Sequence, residues 1–323
     1  MKDARSSGIR RAAGTIALAT AIALPSVGCA SVTGFIHKAA SVEQTAPPRT
    51  LANAPVHGLV GFSTPGLPKD ISALTSLESK AGIHPGIVSW YTGLGTDFNV
   101  KMAVTASSHG MLPLVDMASD AIPLAEITAG KYDGFFRNYA HAVAKYGGPV
   151  AVDFDHEFNG PWWPWGAKHQ TAAEFIASWR RMVTIFRQNG ANNVIWVWNP
   201  NRSDSVTAPM RGWYPGDDYV TWVGLDAYFL GVNDTFNSVF ARTLKELHAF
   251  THRRILIVET AMNPGLNRVT QIKSLFAGLA ASPEIVGFIW FDYSKYQGHN
   301  WTIENDPTAV ALLRSEAVAY QKR

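Results

Sequence analysis

Residues 152–166 read VDFDHEFNGPWWPWG and place three carboxylates (Asp153, Asp155, Glu157), a histidine (His156), an asparagine (Asn159) and three tryptophans (Trp162, Trp163, Trp165) in one short stretch. A further acid, Glu259, closes the apolar run RILIVET. Two carboxylates brought face to face suit cleavage of a glycosidic bond. One, protonated, assists the departing oxygen; the other, ionised, attacks or activates water. Indoles beside them match the apolar C–H faces of sugar rings, while acids and amides match the hydroxyls. Trp90, Trp198, Tyr228 and Trp290 stand near other strand ends and could line the same cleft. Each of these residues also has a plainer reading: a strand-end glutamate can pair with an arginine, and a tryptophan can fill the core.

Other chemistries fit less well. His156-Glu157 does not open a His-Glu-x-x-His zinc motif, because Gly160 occupies the second histidine position. No Gly-x-Ser-x-Gly elbow and no phosphate-binding loop is found. Asp153 and Asp155 with another acid have no recognised metal-ligand spacing, so no metal and no cofactor is expected.

The elements that must position these acids follow from periodicity. Short β-branched and aromatic runs at 56–62, 86–91, 111–116, 149–155, 193–199, 219–226, 254–259 and 285–291 read as strands. They are continuously apolar, as in a parallel sheet covered by helices on its outer face. Amphipathic segments at 172–188, 235–250, 268–281 and 307–322 read as helices, the first of them stopped by Asn189-Gly190. This alternation, spread over residues 54–323, predicts an α/β fold of the (β/α)₈ TIM-barrel type. In such a barrel the working residues sit at the C-terminal ends of the strands, where Glu157 and Glu259 fall. An open doubly wound sheet is the alternative, but no Gly-x-Gly-x-x-Gly turn follows the first strand.

With 47% hydrophobic and 16% charged residues, the chain has the composition of a globular protein with a sizeable core. Its formal charge of +3 is scattered, which gives no basic stripe for nucleic acid. The N-terminus is expected to be an export signal, residues 1–28. Lys2, Arg5, Arg10 and Arg11 precede a short apolar run, and Ser26-Val27-Gly28-Cys29 resembles a bacterial lipobox with serine in the usual leucine place. Cys29, the only cysteine, is then the lipidation site, and plain secretion is the alternative. Residues 29–53, rich in Ala, Ser, Thr and Pro, are expected to be a flexible tether, and 54–323 a single catalytic domain. An exported monomer anchored at the membrane of a bacterial cell surface is the resulting expectation.

DHEFNGPWWPWG resembles the acid/base motif of glycoside hydrolase family 26, whose members commonly carry His-Glu-Met-Asn-Gly-x-Trp-Tyr-Pro-Trp-Gly. The likeness extends in order through PGIVSWYTG, LAEITAGKYDGFFRNYA, VIWVWNPN, YPGDDYVTWVGLDAY, ILIVETA and FIWFD. It implies a (β/α)₈ barrel and a retaining double displacement, with Glu157 as general acid/base and Glu259 as nucleophile, roughly 5 Å apart. It implies that His156 contacts sugar and orients Glu157, that Trp162 and Trp290 stack on sugar, and that Tyr228 hydrogen-bonds the nucleophile. Trp90 is expected on the glycon wall, Trp165 among the substrate-binding aromatics, and Asn159 and Asp226 as supports. The implied substrate is β-1,4-mannan, or else a β-1,3/1,4-glucan or xylan. A non-catalytic carbohydrate-binding lipoprotein on the same barrel is the competing class.

Two departures stand out. Asp153 occupies the place of a family arginine, and Phe229 that of a common asparagine, which bears on the cleft and on mannan specificity. If strand alternation continues past residue 153, Asp153, Asp155 and Glu157 share a face. Repulsion then raises at least one pKa, and at least one aspartate needs a compensating partner.

Overall fold

A computed structural model describes residues 57–206, 208–265, 267–294, 296 and 298–322. The export signal, Cys29 and the tether lie outside the described residues. Eight parallel strands close into a barrel in chain order: β1 Leu59–Ser63, β2 Ile87–Gly93, β3 Leu112–Ala118, β4 Val150–Phe154, β5 Val194–Trp198, β6 Trp222–Asp226, β7 Arg254–Thr260 and β8 Ile285–Phe291. Around it run helices α1 Ile71–Ala81, α2 Val100–Ser108, α3 Leu124–Thr128, α4 Asp133–Tyr146, α5 Ala172–Gln188, α6 Arg242–His248, α7 Arg268–Ala281 and α8 Pro307–Gln321. The expected (β/α)₈ barrel is the fold. The segment expected as one helix over 235–250 is a π-turn, Asn237–Ala241, running into the shorter α6.

Local chemistry explains the sharpest boundaries. Thr171 and Glu174 form a reciprocal capping box that starts α5, whose stripe of Phe175, Trp179, Met182, Val183 and Phe186 is buried. Outward-facing strand residues such as Val88, Val152 and Phe288 join this helix-facing core. Inward-facing residues, among them Ile87, Leu114, Ala151, Val197, Trp222 and Leu256, form a separate apolar plug inside the barrel.

One step further toward the C-terminal ends, the inward positions turn polar. Leu114 is followed on the same face by Asp116, Ala151 by Asp153, and Val197 by Asn199, all buried. Gly224, inward on β6 between Trp222 and Asp226, makes room for them, since a Cβ there would lie 2.5 Å from Asn199 Oδ1. The register of β6 against β7 also shifts, from Leu225 opposite Ile257 to Asp226 opposite Glu259. This bulge skips Val258, so Val258 and Glu259 both face inward: one joins the plug and the other reaches the cleft.

Candidate active site

Glu157 does not lie on β4, which stops at Phe154. Asp155 and Glu157 both adopt left-handed backbone conformations, with φ of 55° and 52°. For a side chain with a Cβ that conformation costs roughly 1–2 kcal/mol, and the neighbouring strands hold it. Asp155 N donates to Met117 O at 2.9 Å and Glu157 N to Asn199 O at 2.8 Å. The turn therefore breaks the expected alternation. Asp153 points inward to Asn199, whose Nδ2 donates to Asp153 Oδ2 at 2.8 Å. Asp155 turns aside and accepts from the Ser119 backbone N–H at 2.6 Å. Each aspartate has its compensating donor; among the described residues neither is paired with a lysine or arginine.

Donors surround both glutamates. Trp162 Nε1 and Trp163 Nε1 donate to Glu157 Oε2 at 2.5 and 3.0 Å, and Asn201 Nδ2 donates to Oε1. Asn201 is itself fixed by Asn159, which donates to its carbonyl and accepts from its N–H, each at 2.8 Å. Glu259 receives one hydroxyl on each oxygen, from Tyr91 and from Tyr228. Carboxylate oxygens of Glu157, Glu259 and Asp226 lie within 4.8 Å of one another. That spacing alone would suit a small cation, but all four oxygens of the two glutamates already accept from N–H or O–H groups. The donor set fits carboxylates poised over a substrate better than a metal cage.

The electrostatics follow from burial and crowding. Burial, then the charge of Glu157, pushes Glu259 up to about 7, while His156 and the two tyrosine hydroxyls pull it back. Burial by itself would depress His156, but Asp116, hydrogen-bonded to His156 Nδ1 at 2.9 Å, together with Glu157 and Glu259 holds it well above its ordinary value. An imidazolium therefore sits among the acids. Asp153 is raised by burial and then by Asp116, and Asp226 by burial and then by Glu259 and Glu157. Asp155 is pushed up to about 7, chiefly by burial. Burial, followed by the Glu259 charge, also raises Tyr91 and Tyr228, so both keep their protons and remain donors.

The cleft above this cluster encloses about 710 Å³ and is lined by Glu157, Glu259, His156, Tyr228, Trp162 and Trp165, among others. Trp162 is 42% exposed and folds over Gly160, an open indole face. Trp165 is buried beneath Trp163, with ring centroids 5.1 Å apart, and donates to the His156 carbonyl at 2.7 Å, so it forms the floor. Asn159 is buried behind Asn201 rather than exposed to the cleft.

Trp90, Trp198 and Trp290 do not line the cleft. They occupy outward strand positions in the helix-facing core, where alternation puts every second residue. Trp290 Nε1 donates to the Trp301 carbonyl, and it is Trp301 that faces the cleft. Beside Trp90, the inward Tyr91 reaches Glu259. Phe229 likewise turns away, buried against Phe240. Tyr91 and Asn201 were not anticipated from sequence as contacts of the two glutamates. Tyr91 could have been found by applying to β2 the inward parity that Asp153 shows on β4. Asn201 sits in a loop, where no periodicity points to it.

Residues 138–263 match the family model described as Glycosyl hydrolase family 26. Endoglucanase H of Acetivibrio thermocellus is 30% identical over 260 residues, covering 75% of this chain and 28% of that one. A mannan endo-1,4-beta-mannosidase of Thermothelomyces thermophilus is 29% identical over 170 residues, covering 50% of this chain and 30% of the other. The chain thus spans less than a third of either relative's length. A GH26 beta-mannanase structure from Bacteroides ovatus superposes with a TM-score of 0.62 at 16% identity, covering 84% of this chain and 90% of that one. At that identity the likeness bears on the fold.

Proposed function

The chain carries a glycosyl hydrolase family 26 segment, and from that premise we propose that it is a retaining β-glycanase acting on β-1,4-mannan. The observation that carries this reading is the opposed pair: Glu157 and Glu259 with oxygens no more than 4.8 Å apart, at the mouth of an aromatic cleft. Retaining glycosidases hold their carboxyl groups roughly 5–5.5 Å apart, leaving no room for an intervening water.

In the reaction, Glu259 attacks the anomeric carbon while protonated Glu157 delivers its proton to the departing glycosidic oxygen. The glycosidic bond breaks and an ester to Glu259 forms. Glu157, now ionised, takes a proton from water, whose oxygen displaces Glu259 from the sugar and restores both groups. The division of labour rests on geometry: Glu259 is held by the hydroxyls of Tyr91 and Tyr228 as the attacking carboxylate, and Glu157 is held by Trp162, Trp163 and Asn201 at the opposite side of the cleft.

A β-glucan is the second reading, favoured by the 30% identity to endoglucanase H over most of this chain. Reducing-sugar release from mannan, glucomannan, mixed-linkage glucan and xylan separates the two, because mannose and glucose differ only at the C2 hydroxyl. The first product, followed by proton NMR, is expected in the β configuration; an α product would remove Glu259 from the nucleophile role. Glycan binding without product release would favour a binding protein. We also propose export with a lipid on Cys29, on the strength of the basic and apolar N-terminal run. Mass spectrometry of the mature N-terminus tests this, and an unacylated terminus elsewhere would exclude it.

A further inference from the structure

Beneath the two glutamates, one side-chain amide serves two acids. Asn199 Nδ2 donates to Asp153 Oδ2 at 2.8 Å and to Asp226 Oδ2 at 2.9 Å, which uses both of its N–H bonds. Its orientation is fixed, because the reverse would turn the amide oxygen toward both carboxylates. Three further oxygens of this cluster, Asp153 Oδ1, Asp226 Oδ1 and Asn199 Oδ1, are buried without a hydrogen-bond partner. All are acceptors, so the cluster lacks a donor. Two ionised aspartates on one neutral amide, away from water, would leave those oxygens and two charges unanswered, at a cost of several kcal/mol per ion. A proton held on Asp153 supplies the missing donor and cancels one charge. The groups facing it agree: Asp116 from β3, Asp226 from β6 and Glu259 from β7 are acids. His156, the one cation, is engaged by Asp116.

We propose that Asp153 is a positioning residue for the Glu157–Glu259 pair, acting as a neutral carboxylic acid that locks Asn199 and, through it, Asp226. It rests on the glycosidase reading of the two glutamates. Asp226 lies within reach of both, so its orientation and charge set the field in which they exchange protons. Asp153 itself touches no substrate.

The test compares two variants. In Asp153→Asn, the new carbonyl accepts from Asn199 and the new amide permanently supplies the missing donor. Asp153→Leu removes both. Asp153→Leu is expected to lower kcat about tenfold with KM nearly unchanged, and to move the acidic limb of kcat/KM by about half a pH unit. Asp153→Asn should restore kcat to within about threefold and return the limb to its wild-type position. A wild-type profile in Asp153→Leu overturns the positioning role. A downward move of both limbs in Asp153→Asn overturns the neutral state, since it would report the loss of an anion. Infrared difference spectra between wild type and Asp153→Asn at neutral pH should contain the C=O stretch of a protonated carboxyl. Its absence overturns the proposal even if the chain hydrolyses no glycan, and its presence survives failure of the glycosidase reading.

Discussion

The barrel interior holds two layers that share strands, direction and burial but not chemistry. The lower layer, with Leu114, Ala151, Val197 and Leu256, is buried and apolar. The upper layer lies two residues further along β3, β4 and β5, with Asp116, Asp153 and Asn199, equally buried, the last two carrying unpartnered oxygens. Burying a large apolar side chain contributes roughly 1.5–3 kcal/mol. Burying a carboxyl costs free energy unless it is hydrogen-bonded or neutral. Alternation therefore decides which way a side chain faces, and height in the barrel decides whether it stabilises the fold or works at the site. The left-handed turn at Asp155 and Glu157 and the bulge at Val258 belong to the upper layer as well. Both are departures from regular strand geometry that aim one acid each into the cleft.

The largest effect should come from the top of the barrel. Glu259→Ala is expected to lower kcat about 10⁴-fold with little change in stability. Azide should restore turnover of an activated glycoside by filling the space left by the carboxylate, giving a glycosyl azide of inverted configuration. Glu157→Ala should cripple hydrolysis of polysaccharide but spare formation of the glycosyl-enzyme from substrates whose leaving group needs no proton. If azide gives the inverted glycosyl azide with Glu157→Ala and the retained one with Glu259→Ala, the two roles are exchanged.

Much of this was legible in the sequence, because the elements obey strong periodicities. The eight strand positions, the barrel and the two strand-end glutamates follow from apolar runs with acids at their ends. Regularity also misled where the chain abandons it. Nearness to strand ends puts Trp90 and Trp290 in the cleft, yet parity turns both toward the helices. Continued alternation puts Asp155 on one face with Glu157, but the alternation stops at Phe154. Asn201 lies in a loop, and only the paired amides of Asn159 and Asn201 bring it to Glu157. Loop residues that act through backbone contacts leave no period to read.

The lower layer should answer in stability rather than in rate. Leu256→Ala opens a cavity inside the closed barrel, and a cost of about 2–5 kcal/mol is expected. Urea unfolding would measure it as a lower midpoint at unchanged slope. The folded fraction should retain kcat to within about twofold, since the plug touches no substrate. A large loss of kcat at full folding would mean that the two layers are mechanically coupled, and the division drawn between them would fail.

The smallest effect is the most specific to the upper layer. Asp155 has a folded-state pKa of about 7 against an ordinary value of 3.8. Between those values the native chain holds a proton that the unfolded chain has released, so stability falls as pH rises. The contribution is complete below the unfolded value and is lost as pH climbs through the folded one. Asp155→Asn removes this loss. The asparagine oxygen can still accept from the Ser119 N–H, its amide replaces the unpartnered Oδ2, and asparagine tolerates a left-handed backbone well. The variant should match wild type near pH 4 and exceed it above pH 7, by an amount on the order of 1–3 kcal/mol. Urea unfolding across that range gives the difference curve directly. A gain independent of pH would locate the benefit in backbone preference and not in the proton, and the upper layer would then be costly for its shape more than for its charge.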